Sequence, residues 1–214
     1  VTPTRGHPAA ADNRGTIRIT ADGISGQTTI SVQATQAKAL RVNAASKARE
    51  PDGFSWETAY TSVQAAIDRA AELHVPAVWV ARGVVRETIW MHAGIDLYGG
   101  FAGVEQNLKQ RPVLLQRTLI DGEHLRRCVV GAPDTLMDGF ALMRGAAEAG
   151  AGVFFAEGAG AIVDCTFTGH HAERGAAVYA DTASLSLVDC SFQANASTAP
   201  DGATYQINLM DTPG

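Results

Sequence analysis

Several groups of side chains carry the types that acid–base, electrostatic or metal chemistry requires. His170, His171, Glu173 and Arg174 crowd into one short stretch. An imidazole or carboxylate there could abstract a proton, and an arginine could hold the anion that results. Asp121, Glu123 and His124 form a second such set behind an apolar run. For both sets the plainer reading is a solvated polar turn. Asp164 and Asp189 stand in matching surroundings, each between a valine and a cysteine. If they stack, two like charges repel, and a calcium ion held through carboxylate oxygens would relieve that. Calcium takes about six to eight oxygen ligands, and only these two are in sight. Two solvated carboxylates are the alternative. Trp56, Trp79 and Trp90 could stack on sugars if exposed. Trp79 alternates within an apolar strand and Trp56 lies near the start of a helix, so both are expected to pack rather than bind.

Other chemistries are excluded. There is no glycine-rich phosphate loop, zinc-ligand spacing or nucleophile elbow. The net charge is −5, with lysines and arginines scattered. Pairs such as Arg126–Arg127 are too short to track a nucleic-acid backbone, so no nucleic-acid partner is expected. No apolar run reaches the length of a membrane span, so no transmembrane segment is expected in this fragment. Three cysteines do not make a disulfide framework.

These side chains are set on strands and one helix. Charged residues are 18%, aromatics 7%, and 22 residues are glycine, a balance suited to short strands and tight turns. Alternation over Ile17–Ala21 and Thr28–Val32, with Asp22–Gly23 between, predicts a hairpin. A short strand is expected at Leu40–Asn43, then a polar loop. Thr61 and Gln64 have capping-box spacing, and Val63, Ala66, Ile67 and Ala70 share one helical face, so a helix over about 61–74 is expected, stopped by Pro76. Its narrow apolar face must cover something, and the open end of a stack of strands needs such a cover. From Ala77 onward, short β-type runs recur at Val78–Val80, Val84–Val85, Thr88–Trp90, Ile95–Leu97, Thr118–Ile120, Val129–Val130 and Leu136–Met137.

A repeat organises the rest. Ile162-Val-Asp-Cys-Thr-Phe167 matches Leu187-Val-Asp-Cys-Ser-Phe192 position by position, at the interval that separates Cys165 from Cys190. Gly150-Ala-Gly-Val-Phe154 precedes Gly175-Ala-Ala-Val-Tyr179 by the same interval. Met137-Asp-Gly-Phe140 reads as a looser copy, slipped by about a residue. A period in this range marks stacked units that bury a core only against their neighbours. The fold expected over about residues 77–214 is therefore all-β, a right-handed parallel β-helix (solenoid) with an N-terminal capping helix. Strict alternation would put Val163, Cys165 and Phe167 inward and Asp164 outward with Thr166. Cys165 and Cys190 would then be core filler rather than a disulfide, because their side chains run parallel.

Two resemblances accompany these patterns. Gly15-Thr-Ile-Arg-Ile-Thr-Ala-Asp-Gly-Ile-Ser-Gly-Gln-Thr-Thr-Ile-Ser-Val32 resembles the last two strands of a group 2 bacterial immunoglobulin-like domain. Ser55-Trp-Glu-Thr-Ala-Tyr60, Val78-Trp-Val-Ala-Arg-Gly83, Ile95-Asp-Leu-Tyr-Gly-Gly-Phe-Ala-Gly103 and Thr118-Leu-Ile-Asp-Gly122 resemble the N-terminal portion of bacterial secreted β-helix proteins of the pectate-lyase-like superfamily. The later Cys-centred blocks are similar to the repeats of polymorphic outer-membrane proteins. That family often carries Asn three residues after the Phe; Asn195 fits, whereas His170 takes the matching place. Neither the clustered Asp ligands plus Arg of a pectate lyase nor the paired-Asp motif of a polygalacturonase is present.

The resemblance implies residues 1–38 as the end of an immunoglobulin-like module plus linker, and 39–214 as a β-helix truncated at its C-terminus. It implies an extracellular or cell-surface bacterial location. The expected function is an adhesin-like or structural stalk that meets a polysaccharide or a neighbouring cell surface. The alternative is a carbohydrate-active enzyme, a lyase or hydrolase on acidic polysaccharide, with His170, His171 and Arg174 as catalytic candidates. Asp164 and Asp189 are the metal candidates, and calcium the one cofactor named.

Overall fold

The computed structural model describes residues 14–17, 30–33, 39–112 and 117–198. The chain divides by its contacts into two compact units, Val1–Lys38 and Ala39–Gly214. In the first, β1 (Arg14–Ile17) and β2 (Ile30–Gln33) pair antiparallel, with Ile17 opposite Ile30. The expected Asp22–Gly23 turn lies outside the described residues.

The second unit opens with β3 (Leu40–Val42) and the helix α1 (Val63–Leu73). Val63, Ala66, Ile67 and Ala70 are buried, as their spacing requires, and the helix lies against the first strands. Its cap differs from expectation. Ser62, not Thr61, is the N-cap, and its Oγ accepts from Ala65 N at 3.2 Å. The part of the capping box assigned to Gln64 is played by Glu87 from a distant segment, which accepts from Val63 N at 2.7 Å and from Ser62 Oγ at 2.8 Å. Gln64 instead receives Trp90 N at 2.7 Å. The helix stops before Pro76: His74 takes a left-handed conformation (φ 55°) and Val75 N donates to Ala70 O, a C-terminal closure that satisfies the last carbonyls.

The strands that follow are β4 (Ala77–Ala81), β5 (Gly83–Val85), β6 (Ile89–Trp90), β7 (Asp96–Phe101), β8 (Thr118–Asp121), β9 (Val129–Val130), β10 (Thr135–Asp138), β11 (Phe140–Met143) and β12 (Ala146–Ala149). They continue as β13 (Val153–Val163), β14 (Thr166–Thr168), β15 (His171–Arg174), β16 (Val178–Val188), β17 (Ser191–Gln193) and β18 (Ala196–Ser197). Every pairing among them is parallel. They form three sheets, ordered β3-β4-β7-β10-β13-β9-β6 with β16 beside β13, β17-β14-β11-β8-β5, and β12-β15-β18. From β10 onward the chain visits the three sheets in turn, so that each circuit lays one strand on each. The architecture is all-β and parallel, with a single α-helix among the described residues.

The repeat is the pairing register. Val153 pairs with Val178, Val163 with Val188 and Phe167 with Phe192, each at the interval of the sequence repeat. The copy at Met137 is not slipped: Met137 pairs with Ile162 and Leu142 with Phe167, at that same interval. Its Gly139, rather than Asp138, therefore corresponds to Asp164. The physical reason is conformational. Gly139 (φ 84°), Asp164 (φ 54°) and Asp189 (φ 52°) are all left-handed, and the chain turns from one sheet to the next there. Arg144, Gly169 and Ala194 form a second left-handed corner, and Gly150 and Gly175 a third. Left-handed backbone costs an ordinary L-residue about 1–2 kcal/mol, and glycine and aspartate tolerate it best.

The corner also changes which residues face inward. Alternation placed Val163 in the core, but the left-handed turn at Asp164 interrupts it. Ile162, Cys165 and Phe167 are fully buried, while Val163 and Asp164 are half-buried. Phe167 stacks on Phe192 with ring centres 5.0 Å apart, and Phe154 on Tyr179 at 5.9 Å. Trp79 is buried and stacks on Phe101 at 4.9 Å; Trp56 is buried beside the same ring, its indole N–H donating to Glu105 O at 2.8 Å. Trp90 points to solvent, 57% exposed.

Candidate functional site

The histidines adjacent in sequence are separated by the wall. His171 opens β15 on its outer side and is exposed, with Glu173 and Arg174 on the same strand. His170 is fully buried. Its Nδ1 accepts from Gly145 N at 2.9 Å, and its Nε2, the protonated nitrogen, donates to Leu142 O at 3.1 Å. Burial pushes its pKa down to about 4; the bond to Leu142 works the other way, and the imidazoles of His171 and His124 add to the depression. A ring held neutral, with both nitrogens engaged by backbone, is a structural element rather than an exposed base. The expectation of a solvated turn fails at this residue.

Asn195 shows why the position is built this way. One circuit on, its Oδ1 accepts from His170 N at 3.1 Å and its Nδ2 donates to Phe167 O at 3.0 Å. His170 serves the equivalent amide and carbonyl, those of Gly145 and Leu142, one circuit earlier. At its corner the histidine thus makes the pair of bonds that Asn195 makes one circuit later, each tying its corner to the circuit before it.

The outer surface gathers most of the remaining candidates. His124, in the left-handed conformation (φ 58°), donates its N–H to Arg144 O at 2.7 Å, and its ring meets His171 edge-on with centres 5.8 Å apart. Asp121 at the end of β8 is buried and ion-paired to the half-exposed Arg144, whose Nε reaches Oδ1 at 3.0 Å. That guanidinium holds the Asp121 carboxyl below its ordinary pKa despite burial, and Glu123 N adds a bond to Oδ1 at 2.9 Å. Glu123 pairs with Arg126 at 2.8 Å and Arg86 at 3.5 Å. Arg174 pairs with Glu148 at 2.9 Å and covers the Tyr179 ring. On this surface two imidazoles meet, and Asp121, Glu123 and Glu148 are each matched by a guanidinium, an arrangement that can meet a polar or anionic partner.

The metal candidates occupy corners. Asp164 and Asp189 stand at equivalent left-handed positions, and among the described residues no three His, Cys, Asp or Glu side chains come together as a metal-holding group. Cys128 and Cys165 are buried, Cys190 half-buried, and all three are free thiols. Burial pushes the thiols of Cys128 and Cys165 up to about 12, so neither is a nucleophile at neutral pH.

Sequence reasoning passed over Arg144, Glu87, Glu105 and the pair Arg111–Asp138. Arg111 Nη2 donates to both carboxylate oxygens of Asp138 at 2.8 Å, and the guanidinium lies over Tyr98 and Phe101. Glu105 closes its loop by accepting from the backbone N–H groups of Ala102, Gly103 and Val104. Only Arg144 left a signal: it stands one and two repeats before Gly169 and Ala194, at the same corner. No protein-family model, curated protein or solved structure matches the chain.

Proposed function

We propose that the parallel sheets are circuits of a right-handed parallel β-helix preceded by the end of an immunoglobulin-like module, and that this region serves as a structural or adhesin-like stalk on a bacterial surface, meeting glycans or a neighbouring cell. One observation carries the reading: β13 and β16 pair from Val153–Val178 to Val163–Val188 in one constant register, so successive circuits present nearly the same face to solvent. A surface repeated along an axis suits extended contact with a polymer better than a single deep site. The neutralised carboxylates of the outer surface agree with it. A lyase needs a base free to take a proton, and here His170 is locked into the wall while Asp121 and Glu123 are held by arginines.

A second reading rests on the His124–His171 contact. Two exposed imidazoles in contact, with Arg174 on the same strand as His171, are the group types that a lyase or hydrolase acting on acidic polysaccharide would use. One sample distinguishes the two. A glycan array reads binding, and the ultraviolet absorbance of unsaturated product from uronate-containing polysaccharides reads lyase turnover. Binding without turnover supports the stalk; turnover lost on replacing His124 and His171 replaces it with the enzyme.

A further inference from the structure

We infer that His170 is an acid-sensitive joint between successive circuits, in which a proton on the buried imidazole unfastens the corner it holds. The geometry carries this. The ring is fully buried and both of its nitrogens are committed to backbone groups one circuit upstream, Nδ1 as acceptor for Gly145 N–H and Nε2–H as donor to Leu142 O. A second proton can go only to Nδ1. It would turn an acceptor into a donor aimed at a donor and leave the Gly145 N–H without its partner.

The surroundings offer the charged ring no relief. From β11 it meets the Leu142 carbonyl, from the corner after β11 the Gly145 amide, and from β14 the Phe167 ring at 6.1 Å between centres. The ionisable side chains that bear on it are His171 of β15 and His124 of the β8–β9 connection, both of which oppose a positive charge there. Gly145 is also closely packed, with space for no side chain of its own. A Cβ on it would stand 2.2 Å from Ala151 O and 2.6 Å from His170 Nδ1. The protonated state is therefore accommodated by opening the corner, and Asn195 on the next circuit is hung from that same corner through His170 N.

The sign follows from linkage. The folded-state pKa lies below the unfolded one, so stability is fully present above about pH 6.5 and declines as pH falls toward the folded value near 4. Asparagine makes the equivalent two bonds and cannot titrate, so His170→Asn is the informative variant.

The test is urea denaturation of the full chain at pH 7.5, 6.5, 5.5 and 5, for the wild type and H170N. For the wild type, the folded-to-unfolded ratio should fall on the order of tenfold between pH 6.5 and 5, where most carboxylates stay ionised. H170N should lose that fall. An equal fall in H170N overturns the proposal. If H170N does not fold, the wild-type ring decides through nitrogen-15 imidazole shifts at pH 5.5. A neutral ring protonated at Nε2 upholds the joint, and a charged ring overturns it.

Discussion

His170 and Asn195 make the same two bonds one circuit apart. Each side chain accepts from a backbone N–H and donates to a carbonyl of the preceding circuit, Gly145 and Leu142 for the histidine, His170 and Phe167 for the asparagine. One corner uses an imidazole and the next a carboxamide, because both place an acceptor and a donor at opposite ends of a short planar group.

That equivalence predicts an ordered pair of variants. His170→Asn should keep most of the stability at pH 7.5, losing about 1 kcal/mol to the smaller volume. His170→Ala leaves a buried N–H and a buried carbonyl unpaired and opens a cavity, so it should cost about 3 kcal/mol or more. Urea midpoints at pH 7.5 measure both. Equal costs would mean that the ladder bonds contribute little.

The left-handed corner at Asp164 assigns that residue a backbone role. Asp164→Gly should be neutral or slightly stabilising, while Asp164→Val should cost about 1–2 kcal/mol through the strain of a β-branched residue at φ 54°. Asp189, at φ 52°, should rank its variants in the same order. Because the corner needs the backbone rather than a cation, millimolar calcium should leave the melting temperature unchanged. A rise lost in D164G would restore Asp164 and Asp189 as ligands.

The thiols should separate by exposure. Cys190 is half-buried on the last described circuit, whereas Cys128 and Cys165 are sealed in the core. Alkylation of the folded protein, read by peptide mass, should label Cys190 first, with Cys128 and Cys165 labelled only as the protein unfolds. Early labelling of Cys165 would contradict the packing.

The Asp121–Arg144 pair carries its own pH dependence. Arg144 depresses the Asp121 pKa in the folded state, so the stabilisation is present above the ordinary carboxylate value and lost as pH falls through the lowered one. Asp121→Asn should therefore cost about 1 kcal/mol at pH 7, the guanidinium being half-exposed. The gap to wild type should begin to narrow as pH falls below about 4 and close only beneath the lowered folded-state value. A gap that does not narrow at all down to the lowest pH at which both proteins stay folded would place the effect in the hydrogen bond to Glu123 N instead.

The sequence by itself determined the elements whose partners recur along the chain. The interval from Cys165 to Cys190 is the pairing register of the last circuits, and the apolar spacing Val63, Ala66, Ile67 and Ala70 is the buried face of α1. Both are periodic signals, legible because every period repeats the same demand. Trp79 was legible from alternation in the same way. What only the tertiary structure decided were choices made by single residues against partners far away in sequence. Ser62 meets Glu87 from another segment rather than Gln64 on its own helix. Ile162 rather than Val163 enters the core because one left-handed residue at Asp164 breaks the alternation. His170 goes inside and His171 outside. Neighbours of identical type carry no local mark of which one will meet an unpaired amide, and the Gly145 amide reaches His170 only once the circuits have stacked.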